Sequence, residues 1–435
     1  MLPDTFEQSI WSALSRPGPA LPVLEGDMAA DVAIVGAGFL GLSTALHLAE
    51  LGVRTVLLEA DVPGFGASGR NTGFVVPSLK TALGPADVGA SLGEVFGERL
   101  VDLVGMSGDI VFDLIRRVGI ECDAEQSGWM QPAHTAAIAS VLERRVAEWQ
   151  RRGRGVEMLD GAEVARRTGS TRFHGALFVP SGGQLNPLAY ARGLAGACLD
   201  AGVSLFAESP VSNIARRDGK WLLSSRKGRV EASRVFLATN ALTGRLAPEL
   251  DRSIIPTRVF QIASQRFGPE EQARILPTRS PIADTRRHTF AVRWSPDGRL
   301  LTGGLVLPGP NRLSRAEAVF TRRLEEFFPA AGNMIAEHVW TGVIAATLDA
   351  LPRFLSLAPG LDAAIGCNGR GVALTTSLGR EIAGLLAGRV TAGEFVLPHV
   401  RPKAVPMRTF AEAAPYVWLG WSEFRDRREL RAADT

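Results

Sequence analysis

Apolar and polar positions near the beginning of the chain predict a strand, a helix and a second strand. Residues 31–35 are almost all apolar and partly β-branched, which favours a buried parallel strand. From Leu42 to Ala49 the apolar residues recur at helical spacing, and Gly52 is a suitable residue to end that helix. Residues 54–58 repeat the apolar pattern of the first strand. This order is typical of a parallel sheet that carries helices on its faces.

The pattern later in the chain predicts two kinds of sheet. Residues 184–214 return to a helix followed by a strand. Between residues 255 and 304, apolar and polar positions alternate, and Pro-Asp-Gly at 296–298 indicates a hairpin turn. Helices are expected over residues 84–150, 313–330 and 372–386, with one strand at residues 128–133. The predicted fold class is α/β, with a second, α+β part built on an antiparallel sheet.

Three glycines, Gly36, Gly38 and Gly41, stand between the first strand and its helix. The first allows a tight turn, the second lets the backbone approach a pyrophosphate, and the third lets the helix pack closely on the strand. Glu59 ends the second strand, where a carboxylate can accept hydrogen bonds from both ribose hydroxyls of an adenosine. This combination predicts an adenine dinucleotide and leaves NAD and FAD as alternatives.

Composition and charge narrow the class of protein. The net charge of +3 reflects an excess of arginine, densest over residues 144–154, which we interpret as the solvated face of a helix. No basic stripe alternates with aromatic residues, so no nucleic-acid partner is expected. Cys122, Cys198 and Cys367 are widely spaced and odd in number, which favours free thiols in a reducing compartment. No signal peptide is evident, and the glycines within the uncharged residues 32–49 argue against a transmembrane segment, so we expect a soluble, cytoplasmic protein.

Three further segments favour FAD. Small residues followed by Arg70 and Asn71 can let the backbone run along a flat ring system, with both side chains as donors; an ordinary surface loop is the alternative. A buried strand ends in Thr239 and Asn240. Residues 366–371 are rich in glycine and open a helix, whose N-terminus carries partial positive charge that can face a flavin ring; a packing loop is the alternative.

With these segments the chain resembles the D-amino-acid oxidase-like family of FAD-dependent oxidoreductases, and within it the bacterial gamma-glutamylputrescine oxidase-like branch. The resemblance covers nearly the whole chain. It rests on "VGAGFLG" with Glu59, "GASGRN", "LATNA", "WTGVIAATLDALP" and "GRGVAL". These motifs are specific for the superfamily and much less so for a substrate.

The resemblance implies a Rossmann-like FAD-binding domain of the glutathione-reductase type, interrupted by the substrate domain. The expected FAD-binding domain comprises residues 1–83, 155–254 and 336–399. The expected substrate domain comprises residues 84–154 and 255–335, and residues 400–435 form a tail that packs on the body. Relatives with covalent flavin use a cysteine shortly after the position of Trp340, where this chain has Gly342, so non-covalent FAD is expected. The residues expected to bind FAD are Gly36, Gly38, Phe39, Gly41, Glu59, Ala60, Ser68, Gly69, Arg70, Asn71, Gly73, Val211, Thr239, Asn240, Gly369, Arg370, Gly371, Val372 and Ala373.

The implied chemistry is oxidation of a C–N bond in a small amine or amino-acid derivative, by hydride transfer to flavin N5. The imine is hydrolysed, and dioxygen or another electron acceptor reoxidises the flavin. One alternative is a dehydrogenase of the same fold that uses a hydroxy acid or amino acid with a quinone or other acceptor. A non-enzymatic flavoprotein is the other alternative. No Ser-His-Asp set, zinc spacing or Walker loop is present, so no metal site is expected.

Four candidate catalytic or substrate-contacting residues lie in segments that face the flavin in relatives. They are His288, Arg293, Trp340 and Arg370; Arg293 as a strand residue and Trp340 as a core residue are the alternatives. The segment after Trp340 lacks the cation that typically anchors an α-amino acid, which favours an amine or an amino acid held by another group. Arg370 replaces the histidine that relatives commonly have between two glycines. It is expected to orient an acidic group of the substrate or to support the reduced flavin, with a surface arginine that caps the loop as the alternative.

Overall fold

The computed structural model describes residues 9–80, 83–307 and 310–433. Its helices are α1 (Ile10–Leu14), α2 (Phe39–Glu50), α3 (Pro85–Leu92), α4 (Glu94–Val118), α5 (Ala136–Arg151), α6 (Gly161–Thr168), α7 (Pro187–Asp200), α8 (Pro248–Arg252), α9 (Pro269–Arg274), α10 (Arg312–Phe327), α11 (Gly371–Leu386) and α12 (Arg408–Ala433). Its strands are β1 (Gly26–Val35), β2 (Thr55–Leu58), β3 (Phe74–Val75), β4 (Trp129–Pro132), β5 (Glu157–Asp160), β6 (Gly175–Val179), β7 (Gly183–Gln184), β8 (Ser204–Phe206), β9 (Asn213–Arg217), β10 (Lys220–Ser224), β11 (Gly228–Leu237), β12 (Ile255–Arg266), β13 (Ile282–Ala283), β14 (Ala291–Trp294), β15 (Arg299–Gly304), β16 (Ala336–Ala346), β17 (Arg353–Ala358), β18 (Leu361–Ile365) and β19 (His399–Val400).

The first sheet has the strand order β19-β17-β18-β11-β1-β2-β8, with β10 and β9 extending from β11. β1 pairs in parallel with both β11 and β2, and β8 continues the parallel arrangement beyond β2. Val32, Ala33, Ile34 and Val35 are all buried, as expected for a central parallel strand covered on both faces. α2 and α11 pack against each other beside this sheet. The predicted α/β fold class is confirmed.

The second sheet has the order β16-β12-β15-β14-β13-β4-β6-β5. Its pairs are antiparallel except that β13 runs parallel to β4. The hairpin predicted at residues 296–298 joins β14 to β15, and Gly298 has the positive φ of 79° that such a turn requires. A separate apolar core lies against this sheet and includes Phe290, Trp294 and Phe320. The two sheets therefore have cores of their own.

Strand pairing differs from the expected domain boundaries at two places. β5 pairs with β6, and β6 pairs with β4, in the second sheet, although residues 155–254 were expected in the first domain. β16 pairs along its length with β12, although residues 336–399 were expected in the first domain. Both pairings join segments that are distant in sequence, which local patterns cannot reveal. We propose that residues 157–179 and 336–346 belong to the second domain.

The C-terminal segment lies along the body of the protein. β19 pairs with β17, and the amide of Val405 donates to the carbonyl of Arg252 at 2.9 Å. Further on, the guanidinium of Arg287 forms ion pairs with Asp426 at 3.0 Å and with Glu429 at 2.9 Å, which fixes α12 to the second sheet. α12 also exposes several large apolar side chains, namely Phe410, Val417, Trp418, Trp421 and Phe424. Over the described ranges, no helix has both the length and the apolar character needed to cross a membrane.

Candidate active site

The segment that leads from β1 into α2 leaves no room for a side chain at its three glycines. Gly36 has φ of 104°, and a Cβ added there would lie 2.9 Å from the carbonyl oxygen of Ala238. At Gly41 an added Cβ would lie only 1.9 Å from the carbonyl oxygen of Gly36. Gly38 is the N-cap of α2, and a Cβ there would lie 2.9 Å from Ser68 Oγ. The backbone amides at the start of α2 can therefore approach an anion closely.

Glu59 stands at the end of β2, beside this turn. Its Oε2 accepts a hydrogen bond from the amide of Ala37 at 2.7 Å, and its Oε1 accepts one from the amide of Asp61 at 3.0 Å. Burial raises the pKa of the Glu59 carboxyl above its ordinary range, while these two donors oppose the shift. Each carboxylate oxygen has more than one lone pair, so both retain an acceptor position for ribose hydroxyls.

A cavity of about 400 Å³, here called the dinucleotide cleft, opens beside Glu59. The expected FAD-binding residues that line it are Gly36, Gly38, Glu59, Ala60, Ser68, Val211, Thr239 and Asn240. Asn240 has φ of 49° and accepts a hydrogen bond from the amide of Ala345 through Oδ1 at 3.0 Å, so its position is tied to β16. The cleft thus brings together segments from three distant parts of the sequence.

A second cavity of about 260 Å³, here called the inner chamber, continues from the cleft. The expected residues that line it are Gly38, Phe39, Ser68, Asn71, Asn240, Gly369, Arg370, Gly371 and Val372. The second sheet contributes Ala283 and Ala291. The two cavities share Gly38, Ser68 and Asn240, so they form one elongated site. A glycine turn and a half-buried carboxylate at one end, with a largely apolar chamber at the other, fit the two ends of FAD.

The loop after β2 forms the floor between the two cavities. Ser68 Oγ accepts a hydrogen bond from the amide of Phe39 at 3.0 Å. The Asn71 amide group donates to the carbonyls of Ser68 at 2.7 Å and Ala67 at 3.1 Å, and its Oδ1 accepts from the amide of Gly73 at 2.7 Å. Asn71 was expected to donate to the ring system, whereas its side chain holds the turn of its own loop.

Several expected binding residues do not line either cavity. Arg70 is buried, and its Nε donates to the carbonyl of Phe65 at 2.9 Å. Gly73 has a positive φ of 75°, and an added Cβ would lie 2.0 Å from the carbonyl oxygen of Leu185. A Cβ added at Gly69 would likewise lie 2.5 Å from the carbonyl oxygen of Gly64. Ala373, in the first turn of α11, is buried in the apolar core. These residues lie behind the walls of the two cavities and support them by packing and hydrogen bonding.

Three of the four candidate catalytic residues also lie outside the two cavities. Arg293 is 1% exposed and its Nη1 donates to the carbonyls of Leu185, Gly73 and Thr72; burial lowers its pKa to about 9. Trp340 is buried and its Nε1 donates to the carbonyl of Arg70 at 2.8 Å. His288 faces α10 instead, where its Nδ1 lies 2.7 Å from Nη2 of Arg323. Sequence patterns do not distinguish an arginine that faces a ligand from one that binds backbone carbonyls.

Arg370 is the candidate that does line the inner chamber. It is the N-cap of α11, and its guanidinium lies over the Trp129 ring at 5.0 Å from the ring centroid. Burial lowers its pKa to about 10, so it stays charged at neutral pH. The loop before it is fixed by Asn368, whose Nδ2 donates to Gly366 and to Thr347 Oγ1 at 2.6 and 3.0 Å.

Two residues that the sequence did not single out belong to the same site. Lys80 lines the inner chamber, and its Nζ donates to the carbonyl of Asn368 at 3.1 Å. Trp11 of α1 is fully buried, and its Nε1 donates to the carbonyl of Asn71 at 2.8 Å. The guanidinium of Arg293 lies over the Trp11 ring at 5.3 Å. No local motif marks either residue, because both reach the site across long stretches of sequence.

Replacing Trp11 by phenylalanine should loosen the Asn71 turn. The phenyl ring keeps most of the packing but cannot donate to the Asn71 carbonyl, and losing one partner of a buried hydrogen bond costs about 1–3 kcal/mol. We expect a lower Tm and a higher Kd for FAD. Trp418→Phe, at an exposed position of α12, is the matched control and should change neither. Equal Tm and Kd in the two variants would show that Trp11 does not support the loop.

Comparisons with known proteins agree with this geometry. The sequence model of the family described as "FAD dependent oxidoreductase" (DAO) matches residues 31–385. Gamma-glutamylputrescine oxidoreductase of Escherichia coli K12 is 32% identical over 382 residues, which cover 87% of this chain and 89% of that protein. A probable oxidoreductase, OrdL, of Haemophilus influenzae is 30% identical over 364 residues, 82% of this chain and 83% of that protein.

Solved structures show the same fold. Glycine oxidase from Geobacillus kaustophilus superposes with a TM-score of 0.70 at 24% identity, covering 84% of this chain and 96% of that one. L-proline dehydrogenase from P. horikoshii also superposes with a TM-score of 0.70, at 16% identity, covering 86% of this chain and 96% of that one. The match of the family over most of the sequence, on a fold that forms a two-ended dinucleotide site, means that the chain belongs to the DAO family of FAD-dependent oxidoreductases.

Proposed function

We propose that the protein holds FAD non-covalently along the cleft and inner chamber and oxidises the C–N bond of a small amine or amino-acid-like substrate. The observation that carries this proposal is the continuity of the two cavities, with the glycine turn at one end and the start of α11 at the other. Support for the substrate class comes from relatives named gamma-glutamylputrescine oxidoreductase and glycine oxidase.

Different residues of this chain would contact the different parts of the cofactor. Glu59 would accept the ribose hydroxyls, and the amides that follow Gly38 at the start of α2 would meet the pyrophosphate. Gly369 and Gly371 present backbone to the inner chamber, and the N-terminus of α11 adds partial positive charge there. When bound, FAD supplies a two-electron acceptor for the hydride that leaves the carbon next to nitrogen.

The inner chamber itself would orient the substrate and limit its contact with water. Much of its wall is apolar, with Phe74, Val76, Ile344 and Leu378 among the lining side chains. Among the described residues that line it there is no aspartate, glutamate or histidine. These described residues therefore offer no carboxylate or imidazole as a general base.

Turnover of the purified protein tests this proposal. A panel of primary amines, N-methyl amines, polyamine derivatives and D- and L-amino acids is incubated in air, and the carbonyl product and hydrogen peroxide are measured. Formation of carbonyl product and hydrogen peroxide in equal amounts would support an oxidase. Carbonyl product that forms only with an added quinone or dye supports a dehydrogenase of the same fold. If a hydroxy acid is the only substrate oxidised, the proposed C–N chemistry is wrong.

Acid precipitation should release the flavin intact into the supernatant. The structure places Gly342, with no nucleophile, in β16 after Trp340. The thiol that lines the inner chamber is Cys367, and burial raises its pKa, which disfavours the reactive thiolate. Chromatography of the supernatant should show one molecule of FAD for each protein chain. Yellow colour retained by the washed pellet would contradict a non-covalent cofactor.

A further inference from the structure

α12 packs on the body of the protein through a face that is partly polar. Leu419, Ser422 and Asp426 are buried, and steps of three and four residues place them on one side of the helix. The guanidinium of Arg287, between β13 and β14, pairs with Asp426 at 3.0 Å and with Glu429 at 2.9 Å. These two carboxylates are therefore neutralised against the body and do not face solvent alone.

Large apolar side chains occupy the face of α12 that is turned away from the body. By the 3.6-residue period of the helix, four of them lie about half a turn from Leu419 and are here called the apolar stripe: Phe410, Val417, Trp421 and Phe424. Phe410 is 75% exposed, Val417 74% and Phe424 64%. Trp421 is 49% exposed, although Arg287 and Arg425 lie over its ring. Exposed apolar side chains grouped in this way mark an interaction site.

The free charges that accompany the apolar stripe are positive. Among the side chains described between residues 400 and 429, those that are exposed and form no ion pair are Arg401, Lys403 and Arg428. Arg428 lies one turn beyond Phe424 on the same side of the helix. The exposed Glu412 pairs with Arg408 at 2.8 Å. The described part of this surface thus combines aromatic rings with unpaired cations.

This combination is complementary to a bilayer that contains anionic lipids. Tryptophan and phenylalanine rings enter the headgroup region, and arginine and lysine side chains are attracted to lipid phosphates. A second copy of the chain is less complementary, because the described unpaired charges that it would bring to the same face are again basic. No helix in the described ranges can cross a membrane, so α12 would lie in the plane of the interface.

We propose that the exposed face of α12 binds the surface of a membrane that carries anionic lipids. The apolar stripe enters the headgroup region, while Arg401, Lys403 and Arg428 lie near the lipid phosphates. The binding is peripheral, and it is sensitive to salt because attraction between exposed charges is screened. The proposal goes beyond the function proposed above and does not depend on it, since α12 contributes no residue to the dinucleotide cleft or to the inner chamber.

Co-sedimentation of the holoenzyme with lipid vesicles tests this proposal. We expect binding to vesicles of phosphatidylcholine that contain one third phosphatidylglycerol. Binding to vesicles of phosphatidylcholine alone should be roughly 10- to 100-fold weaker, because three cations lose their anionic partners. Sodium chloride at about 1 M, where the Debye length is about 3 Å, should remove most of this difference.

Substitutions on the exposed face separate the apolar and the charged contributions. Phe410→Ser and Phe424→Ser should each weaken binding to the anionic vesicles roughly 10-fold, since an aromatic ring no longer leaves water. Arg428→Gln should weaken it roughly 5-fold. The matched controls are Val95→Ser, at a 57% exposed position of α4, and Arg217→Gln, at an exposed position of β9; both should bind as wild type does. All five variants should keep the flavin content of wild type.

Three outcomes would overturn the proposal. The first is that wild type binds neither kind of vesicle, or binds both equally. The second is that the control variants lose as much binding as the variants of α12. The third is that light scattering shows a dimeric wild type and a monomeric Phe424→Ser, which would assign the apolar stripe to an interface between two copies. If the α12 variants retain no flavin, wild type alone decides, through its preference for anionic vesicles and the reversal of that preference by salt.

Discussion

A single methyl group added at Gly41 should leave the protein without its cofactor. In Gly41→Ala the new Cβ would lie 1.9 Å from the carbonyl oxygen of Gly36 and 3.2 Å from its carbonyl carbon. These are backbone atoms of the turn itself, so the clash is relieved only by moving α2 away from β1. We expect a loss of about 1–3 kcal/mol in the free energy of unfolding and purification as a colourless protein. The measurements are the flavin-to-protein ratio and denaturant unfolding.

Gly196→Ala is the matched control for this change. Gly196 lies within α7, and a Cβ added there would have no atom within 4 Å. Because alanine is the better helix former, this variant should be as stable as wild type or more stable by about 0.5–1 kcal/mol, with full flavin content. A yellow Gly41→Ala protein with wild-type stability would show that the turn between β1 and α2 is not built as described.

Arginine at position 59 should abolish FAD retention while the chain still folds. Glu59→Arg removes acceptors for two ribose hydroxyls, each charge-assisted hydrogen bond being worth about 1.5–3 kcal/mol. It also places a bulky cation in the dinucleotide cleft and removes the acceptor for the amides of Ala37 and Asp61. We expect the Kd for FAD to rise by roughly 100-fold or more. Titration of the apoprotein with FAD measures it, with circular dichroism to check folding.

Asp27→Arg provides the same change of charge at the exposed, opposite end of β1. It should keep its FAD. Stoichiometric FAD in the Glu59→Arg protein would mean that Glu59 does not face the adenosine, and the orientation proposed for the dinucleotide would then be wrong.

The parts of the fold that the sequence predicted depend on local signals. The first strand, the glycine turn, α2 and β2 were all expected, because apolar runs, helical spacing and glycines lie within a few residues of one another. The start of α11 was expected near Val372 and lies at Gly371 for the same reason. The antiparallel hairpin of β14 and β15 follows from a turn signal between two alternating segments.

What the sequence did not predict depends on contacts between distant segments. β16 was expected to begin the last segment of the FAD-binding domain. It pairs instead with β12, which precedes it by 70 residues or more. Arg293 and Arg70 carry the same charge as Arg370, but their guanidinium groups bind backbone carbonyls behind the site. Lys80 and Trp11 have no motif around them, and only folding brings them to Asn368 and Asn71. Residue type alone therefore could not separate ligand-facing from structural side chains.

Anaerobic mixing of the yellow protein with a panel of small amines and amino acids would show whether the bound flavin oxidises a C–N bond. The absorbance of the oxidised flavin is followed, with hydroxy acids as the comparison. Bleaching by at least one amine or amino acid, with one carbonyl product formed per flavin reduced, is the result we predict. A flavin that stays oxidised with every amine and amino acid, yet is reduced by dithionite, would mean that the protein does not oxidise C–N bonds.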